Sequence, residues 1–340
     1  MTDTTQTREV PGRAILSEVR NTYRDAYAAT LREHRVRVMV VRFEATTDDP
    51  VWAARMEASR ISAEQKVRTF TALGATPELV VVPDTASTNE ISDLIHRAND
   101  DPLVAAIIIQ TPPPRRGLAL LNEIDPAKDI DSLGVFAPST ACATADGVAR
   151  IAEPYLPGAR IAVVGSSGFV GSGVVALLRQ GGHDPMLLEV GDDLRRLRDA
   201  DVVSTTGSPW LLTPDHIHPG HRLVVDSGFT PHPAGPRGDL HPDAAPLPRI
   251  LTPVPGGIGP VEMAVLAERL VQQRAAPGLD SWHFHGLSTQ HEALTTVDTD
   301  VDHQLQLHHE IQDGQFQTQE LGDDIDEAYD LDEDNGVDLD

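Results

Sequence analysis

Cysteine, lysine and aromatic residues are all scarce in this chain. A single cysteine, Cys142, excludes an intrachain disulfide framework and fits a reducing cytoplasm. No apolar run approaches the roughly 18 residues of a membrane span. The opening MTDTTQTREVPGR has no apolar stretch, so no signal peptide is expected. Aromatics make up 4% of the residues against 40% hydrophobic overall, which predicts an aliphatic core. Of 27 basic residues only Lys66 and Lys128 are lysine. Arginine keeps its proton in proteins, so any proton exchange by a basic amine falls to these two.

Basic residues stop at Arg274, and 18 acidic residues follow it. The net charge of −25 is thus concentrated at the C-terminal end, and the preceding part carries only −7, with 34 acidic against 27 basic residues. That balance argues against nucleic acid as a partner. Beyond about residue 276 apolar periodicity fades, so 276–340 is expected to be a disordered acidic tail. Deleting 280–340 should then leave turnover and thermal midpoint almost unchanged. Its histidines (His283, His285, His291, His303, His308, His309) are irregularly spaced, and no metal site is expected.

At 340 residues the chain has room for two ordinary domains. Helical spacing over 14–34, the β-branched run 36–43, a long helical stretch from Pro50 to Leu73, and the runs 79–84 and 104–110 with a helix near 88–99 between them alternate strand and helix. A helix near 117–123 follows. The helical run DGVARIAEPYL then leads into strands at 160–164, 186–190, 200–205 and 221–226, with helices after the first and over 192–199. The expected fold is α/β, with two α/β lobes around a cleft. Residues 10–145 form the first lobe, completed by a returning helix at 261–273, and residues 146–260 form a Rossmann-type second lobe.

Two loops carry the chemistry. In ILTPVPGGIGPVEMAVLAER (250–269), Pro253, Pro255, Gly256, Gly257, Gly259 and Pro260 fall within eight residues, directly before a helical pattern. Proline fixes φ and glycine permits positive φ and close backbone approach, so the loop is rigid and presents N–H groups at a helix N-terminus. An ordinary strand-to-helix turn has the same composition. Gly165-Ser-Ser-Gly-Phe-Val-Gly171 follows the strand IAVV and opens a helix, the setting in which glycines admit a dinucleotide pyrophosphate. Glu189, 24 residues after Gly165, stands near the spacing at which an acid bonds the ribose 2′-hydroxyl of NAD. Arg195 or Arg196 on the next helix could instead hold the 2′-phosphate of NADP.

TPVPGGIGP resembles the signature loop of the methylenetetrahydrofolate dehydrogenase/cyclohydrolase family, and other motifs of that family follow in order. Gly165-Ser-Ser-Gly matches its GxSxxxG turn with Ser167 in place, although Ser172-Gly173 stand where the family commonly has Arg-Pro. Thr206-Gly-Ser-Pro209 resembles the loop that walls the nicotinamide. Asp226-Ser-Gly228 and Gly238-Asp239-Leu240 resemble its D-x-G and G-D-V elements. IIIQTPPP (107–114) and DPAKDIDS (125–132) resemble its Gln-x-P-x-P and P-x-K-D-V-D-G elements. Cys142-Ala-Thr-Ala lies where the family has P-C-T-P, and Cys142 itself reads as a packing residue. Lys66 lies eight residues before Gly74, matching the family's Tyr-x-x-x-Lys, but Ser62 replaces the tyrosine. The helix is also about two turns longer than the pattern leads one to expect. Counting forward from Asp49-Pro50 would place Ser59 at the lysine position instead.

The resemblance implies oxidation of 5,10-methylenetetrahydrofolate by NADP or NAD, followed by hydrolysis of the methenyl product to 10-formyltetrahydrofolate. It implies catalytic roles for Lys66, Gln110 and Asp131, with Gln110 orienting a lysine of lowered pKa and Asp131 bonding the pterin. Ser62, Asp129, Thr144, Pro255, Gly256 and Gly257 would line the folate. Gly165, Ser167, Gly168, Gly171, Glu189, Thr206, Gly207 and Pro209 would hold the dinucleotide, with Glu189 favouring NAD. It further implies a homodimer with a small-molecule folate substrate, while the cysteine usage, hydropathy and charge above lead one to expect a cytoplasmic protein with neither nucleic acid nor membrane as partner. Two rivals stay open: an unrelated Rossmann dehydrogenase, and a non-catalytic folate- or nucleotide-binding paralogue.

Overall fold

The structure, a computed structural model, describes residues 6–205, 207–287 and 294–297. A two-residue strand, β1 (Arg8–Glu9), leads into the long helix α1 (Gly12–Glu33). The first lobe continues as β2 (Arg37–Glu44), α2 (Pro50–Ala72), β3 (Thr76–Pro83), α3 (Thr88–Asp100) and β4 (Val104–Ile109). Its parallel sheet has the order β3-β2-β4. Val38–Val41 and Phe43 are buried on the central strand, as a β-branched run covered by helices should be. The edge strand β3 leaves Leu79 (39% exposed) and Val81 (43%) open.

Local chemistry fixes the helix ends. Asp49 accepts from the Val51 and Trp52 N–H groups ahead of Pro50, and Ser87 forms a reciprocal capping box with Glu90 at the start of α3. Lys128 closes the other end of α3. Its ammonium donates to the carbonyls of Ala98 (2.9 Å), Asn99 (2.6 Å) and Asp101 (2.8 Å), as a cation at a helix C-terminus should.

The second lobe holds α4 (Ala143–Ala152), β5 (Ile161–Val164), α5 (Phe169–Gln180), β6 (Met186–Leu188), β7 (Val202–Thr205), β8 (Leu223–Asp226) and β9 (Ile250–Leu251). Its six strands, all parallel, have the order β1-β9-β8-β7-β5-β6. The winding therefore reverses between β5 and β7, which opens a crevice at their carboxyl ends. The last long helix, α6 (Ile258–Arg274), packs against α1, α2 and α4 and is buried almost all round.

Several expectations need correction. The segment near 117–123 and that at 192–199 are 3₁₀ helices, Arg115–Glu123 and Leu194–Asp199, and not α-helices. The returning helix starts at Ile258, because Gly257 ends the loop. The 145/146 boundary falls inside α4, whose residues share one apolar core with both lobes. β1 crosses over: Arg8 and Glu9 pair with Ile250 and Leu251, stitching the N-terminal segment into the second sheet.

Order also extends past residue 276. Trp282 is fully buried, its backbone N–H donates to Glu268 (2.7 Å), and the Arg150 guanidinium sits 4.8 Å from its ring centroid. The Leu287 N–H donates to the Tyr155 hydroxyl (2.9 Å), and β10 (His283–Phe284) pairs antiparallel with β11 (Thr295–Thr296). Burial of one indole ring, with its backbone N–H on a buried acid, thus outweighs a polar composition. The rest of the expected tail, 288–293 and 298–340, with His291, His303, His308 and His309, lies outside the described residues.

Candidate active site

α2 places Ser59, Ser62 and Lys66 on one face, at i, i+3 and i+7. Lys66 is only 2% exposed. Its ammonium donates to the Ser62 hydroxyl (3.0 Å) and to Glu262 Oε1 (2.5 Å), in the second turn of α6. Burial by itself would lower the lysine pKa. The facing carboxylates of Glu262 and Asp131 outweigh it and hold the ammonium above the ordinary lysine range. The expected lowered pKa is therefore wrong for the free protein, for a reason the family motif does not contain: a glutamate on α6. Ser59 is buried with its hydroxyl unpaired, whereas Lys66 meets the acids.

Asp131 is buried just ahead of α4, and its Oδ1 accepts from the Ala143 N–H in the first helical turn (3.0 Å). Burial raises its pKa to about 6, against the pull of Lys66 and with a further push from Glu262. Ser132, the next residue, has a positive φ of 52°. Arg269 of α6 fixes this bend by donating to the carbonyls of Ile130 (2.9 Å) and Ala141 (2.9 Å) and to Asp146 (3.0 Å). Asp129 does different work. Its two oxygens accept from the Leu133 (3.0 Å) and Gly134 (2.8 Å) N–H groups, so its carboxylate closes the turn. Thr144 lies in the first turn of α4, and burial pushes the Cys142 thiol up to about 12, which suits packing and not nucleophilic attack. Gln110 ends β4, where its backbone N–H donates to Val41 (2.8 Å). Its side chain is buried, and its Nε2 lacks a hydrogen-bond partner.

The loop before α6 is built by close backbone approach. The Gly257 N–H donates to the Pro253 carbonyl (2.8 Å), and Gly256 has φ +106°. The Val254–Pro255 peptide is cis. A Cβ on Gly12 would lie 2.0 Å from the Gly257 carbonyl oxygen, so α1 starts in contact with the loop. This packing sets the direction in which α6 leaves, and hence the meeting of Glu262 with Lys66.

At the crevice of the second sheet, a Cβ on Gly171 would lie 2.0 Å from the Gly165 carbonyl, and Gly165 itself has φ +73°. Only glycine lets this turn lie flat against the N-terminus of α5, the cradle that a pyrophosphate requires. Glu189 reaches back over the turn. Its Oε1 accepts from the Ser166 hydroxyl (2.7 Å) and the Ser167 N–H (2.8 Å), and the serine hydroxyl holds the carboxyl pKa below its ordinary value. Arg195 bonds Asp193 (2.9 Å). Across the crevice, Asp239 accepts from the Gly207 (2.7 Å) and Ser208 (2.7 Å) N–H groups, just ahead of Pro209, and from the Thr205 hydroxyl (2.9 Å). Asp226 in turn accepts from the Asp239 (3.0 Å) and Leu240 (2.8 Å) N–H groups. Burial and the neighbouring Asp226 raise Asp239 to about 7. Thr206 lies outside the described residues.

A family model for the catalytic domain of tetrahydrofolate dehydrogenase/cyclohydrolase matches residues 10–131, and one for its NAD(P)-binding domain matches 140–276. The bifunctional protein FolD of Staphylococcus aureus (strain Newman) is 32% identical over 244 residues, 66% of this chain and 85% of that protein. The chain belongs to the tetrahydrofolate dehydrogenase/cyclohydrolase family. Among solved structures, the Trypanosoma brucei methylenetetrahydrofolate dehydrogenase-cyclohydrolase complexed with NADP and an inhibitor superposes with a TM-score of 0.68, at 22% identity over 79% of this chain and 97% of that one. The NAD-dependent 5,10-methylenetetrahydrofolate dehydrogenase of Saccharomyces cerevisiae gives 0.59, at 17% identity, with coverage of 79% and 97%. Family membership removes the unrelated Rossmann dehydrogenase as a reading.

Within this tetrahydrofolate dehydrogenase/cyclohydrolase frame, the structure brings Lys66, Ser62 and Asp131 together beside α6, and Gly165, Ser167 and Glu189 together at the crevice. It does not give Lys66 to Gln110, whose amide donates no hydrogen bond. Glu262 and Arg269 escaped the sequence reading. Both sit in an apolar helical stretch that reads as plain core, and the one available signal was charge within that otherwise apolar run.

Proposed function

We infer that this chain oxidises 5,10-methylenetetrahydrofolate with NAD(P)+ and hydrolyses the methenyl product to 10-formyltetrahydrofolate. The observation that carries this is the buried Lys66, bonded to Ser62 and Glu262 and facing the Asp131 carboxylate, in a chain that also carries the glycine cradle. In this reading the first lobe with α6 holds the folate and the second lobe holds the dinucleotide, with α4 packed against both. Asp131 accepts the paired N–H donors of the pterin, and Ser62, Thr144 and the Pro255-Gly256-Gly257 turn shape its surroundings. The unpaired Nε2 of Gln110 is a donor awaiting the ligand. Asp129 supports this wall through the turn it closes.

The dinucleotide, when bound, supplies the hydride acceptor. The protein's part is to hold two rings close and dry. Asp239 fixes the Gly207 and Ser208 amides that lead into Pro209, and Gly165, Ser167, Gly168 and Gly171 form the phosphate cradle. Thr206 is proposed to join them. Glu189 already bonds Ser166 and Ser167 at this cradle, where its charge repels a 2′-phosphate and accepts from a 2′-hydroxyl. The reading favours NAD. NAD should show the higher kcat/KM and the tighter binding in fluorescence titration, and a strong NADP preference would show that Arg195 or Arg196 displaces Glu189.

The chain is further proposed to act as a cytoplasmic homodimer. Among the described residues no helix is long and apolar enough to cross a membrane. The open face of β3 at Leu79 and Val81 is an apolar edge of the kind a second copy would cover. The decisive variant for the function is Lys66→Met. It should abolish methenyl hydrolysis while some methylene oxidation remains, and unchanged hydrolysis would remove Lys66 from the site.

A further inference from the structure

Glu262 belongs to none of the motifs that identify the family, yet it makes the shortest contact to the catalytic lysine, 2.5 Å. Glu262 keeps 14% of its side chain exposed, against 2% for Lys66, so the carboxylate is the member of the pair that reaches accessible space. The ammonium spends two of its three donors on Ser62 and Glu262. Asp131 and Cys142 are the other titratable groups facing the lysine, and both add to its attraction for a proton. Even at the ordinary lysine pKa only about one amine in 10³ is neutral at pH 7. A lysine held this way is a poor base.

We propose that Glu262 is the proton acceptor for the hydrolytic step and that Lys66 acts as a charged relay beside it. This rests on the folate reading above. Water adds to the cationic carbon between the two nitrogens of the methenyl substrate. As the C–O bond forms, a water proton passes to the Glu262 carboxylate, leaving a neutral carbinolamine. The bond from that carbon to N5 then breaks with its electron pair going to N5. N5 takes a proton from the Lys66 ammonium, which recovers one from the carbinol hydroxyl as the carbonyl forms. Glu262 finally releases its proton to solvent, so one water is consumed and one proton is produced. Without Glu262 the water proton has no anionic acceptor beside Lys66 except Asp131, which is committed to the pterin in this reading.

The test measures methenyl hydrolysis and methylene oxidation on the same preparations of the full-length wild type, Glu262→Asp and Glu262→Gln. The ratio of hydrolysis to oxidation should fall in order, by about threefold to tenfold in Glu262→Asp and about 100-fold in Glu262→Gln, the size of a lost general base. The loss should appear in kcat and not in KM. A purely structural ion pair would lower both rates together, and a ratio within about twofold of wild type in either variant overturns the proposal. If Glu262→Gln fails to fold, Glu262→Asp decides alone, because it keeps the charge opposite Lys66. A wild type that neither oxidises nor hydrolyses folate counts against the underlying function. An active wild type with a flat ratio counts against Glu262 alone.

Discussion

Asp131 is pulled in two directions. Burial favours its neutral form, while the Ala143 N–H, Lys66 and Arg269 favour the anion, and the balance leaves it at about 6. Pterin binding needs the anion, so folate affinity should decline as pH falls through about 6. Stability moves the opposite way. The folded state holds this proton more tightly than an unfolded aspartate with a pKa of about 3.9, so between those two values acidification favours the fold through this group. A titration of folate Kd against pH checks the first effect. Asp131→Ala should weaken folate binding about 10- to 100-fold, as expected for a charged acceptor removed from buried donors. Affinity within a fewfold of wild type would make Asp131 a turn residue only.

At the scale of elements, the segment after α6 contributes more than its composition suggests. Glu268 accepts from Arg150 (2.6 and 2.9 Å), Ser281 (3.0 Å) and the Trp282 N–H (2.7 Å), and Trp282 is fully buried. Trp282→Ala should cost about 3–5 kcal/mol and lower the thermal midpoint by on the order of 10 °C. Deletion of 280–340 is therefore not neutral, contrary to the expectation from composition: a chain ending at residue 279 should show a loss at least as large, and one ending at 297 none. Calorimetry of the three separates them. The regular elements were legible because their periodicity is strong: β2, α2, β4, β5 and α6 lie within a few residues of expectation. What stayed hidden was non-local. β1 is two residues long and acquires its identity from β9, Trp282 is one aromatic in a polar stretch, and Glu262 takes its meaning from a lysine 196 residues away. The Lys66 position was legible because the chain has only two lysines, and Lys128 serves as a helix cap.

At the scale of the molecule, α6 is the part on which the account depends. It is delivered by the rigid loop 253–257, starts against Gly12 of α1, and carries Glu262 to Lys66, Glu268 to Trp282 and Arg269 to the Asp131 bend. Lobe, loop and site are thus one packed unit, and a single protein should perform both chemical steps. If the open β3 face is the dimer contact, Val81→Glu should shift sedimentation from dimer to monomer, whereas an unchanged sedimentation coefficient would place the contact elsewhere. The most direct test of the central claim is to supply the purified chain with 5,10-methylenetetrahydrofolate and either dinucleotide, and to follow reduced dinucleotide and 10-formyltetrahydrofolate together. The account predicts folate-dependent reduction, faster with NAD, with 10-formyltetrahydrofolate accumulating from the same protein. Folate binding with no dinucleotide reduction by either cofactor would contradict it and identify the chain as a non-catalytic member of its family.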